Sequence, residues 1–285
     1  MPSMKALKRR ITSVRNTQQI MKAMNMVAAS KVQRYKTRME SIRPMFNEAG
    51  DFLSKGVYTE EAALSVFFNP RPINKTAYIV MSGERGLCGS YNANVLKEAL
   101  AHINNNTEKA EQIVAIGAKC KEYFVRRGKN VIADYTGVLE HISYPVAADV
   151  AWSLYNMYTS EDPELRVDEI YVIYTQFETL LSQTPRAVKL LPFSTDISEL
   201  PKETIYEPDP DTYLKKALPV YLAMFIYGAM AEASVCEQAS RMTSMDAAAR
   251  NAGEIVDDLT LQFNRQRQSA ITQEISEIVG GANAI

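Results

Sequence analysis

From Leu7 to Leu53, apolar residues recur at alternating steps of four and three: Leu7, Ile11, Val14, Gln18, Met21, Asn25, Ala28, Val32, Tyr35, Met39, Ile42, Phe46, Ala49 and Leu53. Twelve of these fourteen positions are apolar. A 3.5-residue period held this long is the pattern of a coiled-coil seam rather than of a short globular helix. No glycine precedes Gly50, and Pro44 is the one internal breaker, where a bend is expected. About 50 residues at about 1.5 Å each predict a rod of about 75 Å.

The C-terminal segment keeps the same cadence through Tyr221, Phe225, Gly228, Ala231, Val235, Gln238, Met242, Met245, Ala249, Ala252, Val256, Leu259, Phe263, Gln266 and Ala270, of which twelve of fifteen are apolar. Many are small, as in DAAARNAG at 246–253, which lets a partner backbone approach closely. A helix end is expected at Gly280 and Gly281. The longest apolar stretch, 217–231, contains Pro219 and Gly228 and is shorter than the roughly 20 residues that span a bilayer, so it reads as a helix buried in protein.

Between the two seams the period changes. The runs 76–81, 112–117, 130–135, 168–177 and 187–193 read as strands, and 92–104, 118–127 and 145–159 as helices. Strand–helix alternation predicts a mainly parallel sheet. The last two strands are joined by a loop containing Thr184-Pro185, too short for a helical crossover, and are expected antiparallel. The fold class is therefore α/β: a mostly parallel five-stranded, Rossmann-like domain at 74–195, inserted between coiled-coil helices at 1–56 and 211–285. If the terminal helices leave the domain on one side, they bury their stripes only as an antiparallel pair.

Charge adds one feature. The chain carries 32 Lys plus Arg against 33 Asp plus Glu, but residues 1–56 hold twelve basic and three acidic side chains, a surplus of nine. The near-zero total gives no case for nucleic-acid binding. The N-terminus lacks the apolar block and cleavage site of a signal peptide. Cys88, Cys120 and Cys236 have no C-x-x-C spacing, which argues against a disulfide framework or zinc site and fits a reducing compartment. Only His102 and His141 are present, too little for a histidine metal site or a His-driven triad.

One stretch invites a chemical reading. After the first strand, glycines stand at 83, 86 and 89, followed by a helix-like run. The dinucleotide fingerprint needs G-x-G-x-x-G and an acid at the end of the next strand. This loop is G-x-x-G-x-x-G, and the next strand ends in Gly117. The phosphate-loop pattern also fails, because Cys88 and Tyr91 stand where its second glycine belongs. Gly83, Gly86 and Gly89 are thus expected to supply left-handed or crowded positions of a strand-to-helix turn. Ser90 or Asn92 is the expected cap and Cys88 a buried, inert thiol.

Two further stretches carry a family resemblance. TQQIMKAMNMVAASKVQRY at 17–35 and the block from SRMTSMDAAARNAG to the C-terminus at 240–285 resemble the two ends of the gamma subunit of F-type ATP synthase, and GLCGSYN at 86–92 is similar to that family's loop after the first central strand. The resemblance covers the whole chain. It implies a non-catalytic rotor shaft, present in one copy, that couples a proton-driven ring of membrane c subunits to the catalytic sites of three beta subunits alternating with three alpha subunits. The epsilon subunit is a further partner, and neither a cofactor nor a metal is implied. Residue by residue, it carries beta-subunit contacts onto Lys22, Arg267, Gln268 and Thr272, and an epsilon or c-ring contact onto Tyr206. The C-terminal stretch 275–285 is implied to project past the start of the N-terminal helix and rest in an apolar collar.

The chain departs from the family at AARNA (248–252) and QIM (19–21), so Arg250 and Met21 are not carried over as contacts. No regulatory dithiol insertion is seen, and no transit segment, which favours a bacterial protein or a mature chain; for a bacterial protein the resemblance implies the cytoplasmic face of the plasma membrane, held there through the complex. Two competing readings come from the residues alone. One is a nucleotide-dependent α/β enzyme, from the glycine loop. The other is a basic coiled-coil module for nucleic acid or anionic membrane, from the N-terminal charge.

Overall fold

The computed structural model describes residues 3–55, 65–68, 71–105, 109–193, 207 and 209–282. Their elements run α1 (Met4–Lys55), β1 (Lys75–Met81), α2 (Tyr91–Asn104), β2 (Ala110–Ile116), α3 (Ala118–Val125), β3 (Val131–Tyr135), α4 (Tyr144–Thr159), β4 (Glu169–Phe177), β5 (Gln183–Leu191) and α5 (Pro210–Ala282). The chain divides into two compact units, residues 30–240 and residues 1–29 with 241–285.

In the larger unit the sheet order is β3-β2-β1-β4-β5, with β4 and β5 antiparallel and every other pairing parallel. The expected α/β class and the antiparallel last pair are observed. The turn between β4 and β5 is tighter than expected, because Thr184 and Pro185 lie within β5 itself. Proline is tolerated there because β5 is an edge strand, where one row of backbone groups needs no ladder partner.

The central strands β1 and β4 are buried almost throughout, as strands covered on both faces must be. Tyr78 and Val80 of β1 face Val95 and Leu96 of α2 and Cys120 and Phe124 of α3. Ala77, Ile79 and Met81 face the opposite layer, built from α4, the 35–46 part of α1 and the 214–236 part of α5. Strand alternation alone divides these two cores.

Asp209 starts α5 by accepting hydrogen bonds from Thr212 N and Thr212 Oγ1 through its two carboxylate oxygens, with Pro210 as first helical residue. The window of α5 apolar enough to cross a membrane is 78% buried, so its apolarity is core. At Gly228 an added Cβ would lie 2.3 Å from the Phe46 ring, and that ring packs on Phe225 with centroids 4.8 Å apart. A seam position is glycine here because an aromatic ring of the facing helix occupies the space.

Two ion-pair networks tie the amino ends of the strands. Asp168 accepts from Arg71 Nε at 2.8 Å and from the Asn74 and Lys75 amides, and Arg71 also donates to Tyr158 O and Val167 O. Glu169 is gripped by Lys109 at 3.0 Å and Lys189 at 2.9 Å. Both acids are almost fully buried.

The smaller unit is an antiparallel helix pair. Leu7 and Ile11 cluster with Val256 and Leu259, flanked by Val14 and Phe263. Gln18 and Asn25, the two polar members of the N-terminal seam, donate to Ala249 O at 3.2 Å and Met242 O at 2.8 Å. They are seam residues because their amides cap backbone carbonyls of the partner helix and fix the register. Every described position of the N-terminal cadence is buried or half-buried. The helix closes at Ala282, one residue past Gly281.

Candidate functional site: a filled crevice and two exposed helix faces

The strand order reverses between β1 and β4, and in open α/β sheets ligands bind outside the carboxyl ends of the strands at such a point. The glycine loop sits there, between β1 and α2. Its three glycines have different reasons to be there. A Cβ on Gly83 would stand 2.9 Å from Asn92 Oδ1 and 2.9 Å from Glu237 Oε1, so crowding selects glycine. Gly89 has φ of 56°, in the left-handed region.

Gly86 answers to neither expectation. Its Cβ would meet open space and its backbone is not left-handed, while Leu87 beside it takes φ of 60°. Ser90 occupies the cap position of α2 without a side-chain cap bond, and Asn92 is spent on the loop instead. Asn92 Oδ1 accepts from Gly83 N at 2.8 Å, and Asn92 Nδ2 donates to Arg85 O at 3.1 Å. Cys88 is buried.

The acid that a nucleotide fold would carry after β2 is replaced for a steric reason. Gly117 has φ of 98°, and its Cβ would lie 2.1 Å from Ser82 O. The free N–H of Ala118 at the start of α3, a natural anion site, already has its anion: Glu84 Oε2 accepts it at 3.0 Å, while Oε1 accepts Gly137 N at 2.7 Å. The rest of the crevice is occupied by α5, in which residues 228–239 are all buried.

Polar groups along that stretch bond to the rim. Tyr91 Oη donates to Ala233 O at 3.1 Å, Glu232 Oε2 accepts from Phe177 N at 3.3 Å, and Ser240 Oγ donates to Cys88 O at 2.7 Å. Burial pushes the Glu232 carboxyl above its ordinary range, against the opposing pull of the Phe177 N–H and of Arg43, whose guanidinium is 3.6 Å away. Burial also raises the Tyr91 phenol, reinforced by Cys236 and Glu237. These polar side chains inside an apolar helix are the signal that the cadence did not isolate. Among the described residues no three His, Cys, Asp or Glu side chains gather as a metal site requires.

The other candidate residues lie in the smaller unit. Lys22 is exposed and borders a groove of about 410 Å³ with Gln18, Asn25 and Met26 of α1 and Asp246, Ala249 and Arg250 of α5. Arg250 pairs with Asp246 at 3.0 Å on the exposed surface. Arg267, Gln268 and Thr272 are exposed, and Thr272 Oγ1 donates back to Gln268 O at 2.9 Å.

Arg267 stands 18 residues beyond Ala249, which pairs beside Lys22, or about 27 Å along the helix. The structure therefore places these residues in two separate exposed groups. Residues 271–279 are all exposed, among them Ile271, Ile275, Ile278 and Val279. Tyr206 lies outside the described residues.

Comparison with known proteins agrees over the whole length. The family model described as ATP synthase matches residues 3–285. A protein of Desulforamulus reducens named ATP synthase gamma chain is 40% identical over 288 residues, covering 100% of both chains. One of Acetobacterium woodii, named ATP synthase gamma chain, sodium ion specific, is 36% identical, covering 98% of this chain and 97% of its own.

Among solved structures, a chain of the central stalk and c ring of the Tetrahymena thermophila mitochondrial ATP synthase matches with a TM-score of 0.64 at 24% identity, over 80% of this chain and 99% of its own. A rotor chain of the Euglena gracilis enzyme matches at 0.69 and 16%, over 94% and 98%. At these identities the solved structures establish the fold.

Proposed function

The chain belongs to the ATP synthase gamma-chain family, and on that premise we propose that it works as the central rotor shaft of a bacterial F-type ATP synthase. It is a non-catalytic part of a membrane-bound complex. One copy stands within three alpha and three beta subunits and joins the epsilon subunit and the c ring at its sheet domain. It lies on the cytoplasmic face of the plasma membrane. Rotation of the c ring turns the shaft, and the turning shaft presents a different face to each beta subunit, driving the catalytic sites through open and closed states.

The observation that carries this reading is the full-length likeness to gamma chains together with a helix pair that ends in exposed, chemically distinct faces. A shaft that turns in a sleeve needs a stiff core and few, exchangeable outer contacts. The apolar seam supplies the first. Lys22, and Arg267 with Gln268 and Thr272, supply the second. An arginine grips a carboxylate through two parallel N–H bonds and releases it when the geometry changes, and the neighbouring amide adds a donor and an acceptor. Tyr206 belongs to the contact with epsilon and the c ring in this reading. The nucleotide-enzyme alternative is disfavoured because α5 and Glu84 already fill the crevice such a ligand would need.

Reconstitution tests the reading. Alpha and beta subunits assembled with this chain should hydrolyse ATP faster than without it, and a bead fixed to the sheet domain should rotate during turnover. Equal hydrolysis with and without the chain, or a bead that never rotates, would sink it.

A further inference from the structure

We propose that the stretch of α5 from Gly228 to Ser240 is the torque-transmitting joint of the subunit, with Tyr91, Glu232, Ser234, Cys236 and Ser240 as the positioning residues that stop the helix from turning about its own axis within the sheet domain. The proposal rests on the rotor reading and adds to it where the load passes between sheet and shaft.

A shaft driven through its sheet domain loads that domain's grip on the helix. Apolar packing opposes withdrawal of a helix, but it is non-directional and resists axial slip poorly when the side chains are small. The embedded stretch is rich in small side chains: Gly228, Ala229, Ala231, Ala233 and Ala239 are buried, beside the larger Met230 and Val235. Hydrogen bonds are directional and weaken steeply when bent, so they supply the missing rotational stiffness.

Among the described residues, such ties come from several segments. Tyr91 Oη reaches Ala233 O at 3.1 Å, Phe177 N reaches Glu232 Oε2 at 3.3 Å, Cys236 Sγ reaches Thr175 O at 3.4 Å, and Ser240 Oγ reaches Cys88 O at 2.7 Å. Ser234 Oγ lies 3.0 Å from Leu139 O and 2.8 Å from Met230 O of its own helix, sharing one proton between them. At about 100° per residue, positions 232, 236, 240 and 234 fan over an arc of about 200°.

Their partners belong to the end of β4, the glycine loop, the start of α2 and the segment after β3. A helix held from several directions by separate segments cannot turn without breaking bonds on more than one side. Stability alone does not call for these groups. Burying a carboxyl and hydroxyls costs free energy that an apolar set of the same shape avoids. A directional grip accounts for that cost.

The test uses the assembled complex of alpha and beta subunits with the full chain carrying Tyr91→Phe, Ser234→Ala and Ser240→Ala, deletions of single hydroxyls. A probe is fixed to the sheet domain while the ring is held without nucleotide, and its angular fluctuations are recorded. Torsional stiffness should fall, because three of the directional ties are lost. ATP hydrolysis without load should stay unchanged, and Ser240→Thr, which keeps the hydroxyl, should recover part of the stiffness.

Unchanged angular fluctuations would overturn the joint, as would a loss of stiffness that merely tracks a lower melting temperature and is not recovered by Ser240→Thr. If the triple variant does not assemble, Tyr91→Phe and Ser240→Ala are measured singly under the same criteria. A wild-type chain that neither rotates nor stimulates hydrolysis overturns the rotor reading instead, so the two failures are told apart.

Discussion

One helix carries two regions of opposite character. Residues 228–239 of α5 are buried on every side, and residues 271–279 are exposed on every side. The first stretch holds Glu232 and Ser234 among alanines, with each polar group met by a partner. The second holds Ile271, Ile275, Ile278 and Val279 with nothing over them among the described residues. A helix that is apolar all round belongs in a core, and an exposed apolar stripe marks a surface awaiting a partner. The difference shows that continuity of secondary structure says little about environment: the first region is enclosed by the sheet domain and the second is open.

The same substitution in both regions gives the largest expected contrast. Ala231→Asp places a carboxylate where no water reaches, and should cost at least about 3 kcal/mol in urea unfolding or prevent folding altogether. Ile275→Asp should change stability by no more than about 0.5 kcal/mol. Equal losses at the two positions would break the comparison.

A smaller contrast lies in the loop bordering the embedded stretch. Gly83→Ala forces its new methyl onto Glu237 and Asn92 and should cost about 1–2 kcal/mol. Gly86→Ala, facing open space, should be neutral or stabilising by a few tenths, since it only restricts the unfolded chain. Thermal unfolding of the two variants side by side decides this.

Acid separates the embedded carboxyl from the strand-end pair by sign. Burial alone would raise Asp168 and Glu169, but the Asn74 and Lys75 amides with Arg71, and Lys189 with Lys109, hold both below the ordinary carboxylate range. A depressed group contributes stability above its unfolded pKa and loses it as pH falls through its folded pKa, so these two weaken the fold below about pH 4. Glu232 is raised, chiefly by burial. Its folded form keeps a proton that the unfolded form has lost, so it costs stability as pH rises from about 4.5 through its folded value. Unfolding measured against pH should show both slopes, and Glu232→Gln should remove the second while leaving the first.

Much of this was open to reading in the chain. The 3.5-residue period located both seams, and short β-rich runs between helix-like stretches located all five strands, because burial of one helix face and of a covered sheet leaves those marks. The failed glycine spacing removed the nucleotide reading for a reason the structure makes concrete, with Gly117 against Ser82 and Glu84 on the start of α3. The joint was not legible. Glu232, Ser234 and Ser240 stand within or beside an apolar cadence, and nothing local says that Phe177, Leu139 and Cys88, at least 50 residues away, supply their partners. Contacts between distant segments leave no periodic trace. The sequence did hold one usable clue: polar residues inside a stretch too apolar to be surface.

The smallest expected effect on stability falls at the exposed face proposed to contact the beta subunits and sharpens the comparison from its other side. Arg267→Ala with Gln268→Ala removes no described ion pair and leaves the Leu7–Leu259 seam intact, so unfolding should shift by no more than about 0.5 kcal/mol. The same double variant should lower ATP turnover of the assembled complex, because a grip made only during part of the rotation contributes to the barrier between states and not to the fold. The two measurements together are decisive. Unaltered turnover would remove Arg267 and Gln268 from the contact face, whereas a large stability loss would make them structural. In the embedded stretch the pattern should be reversed, with stability and stiffness changing first and unloaded turnover last.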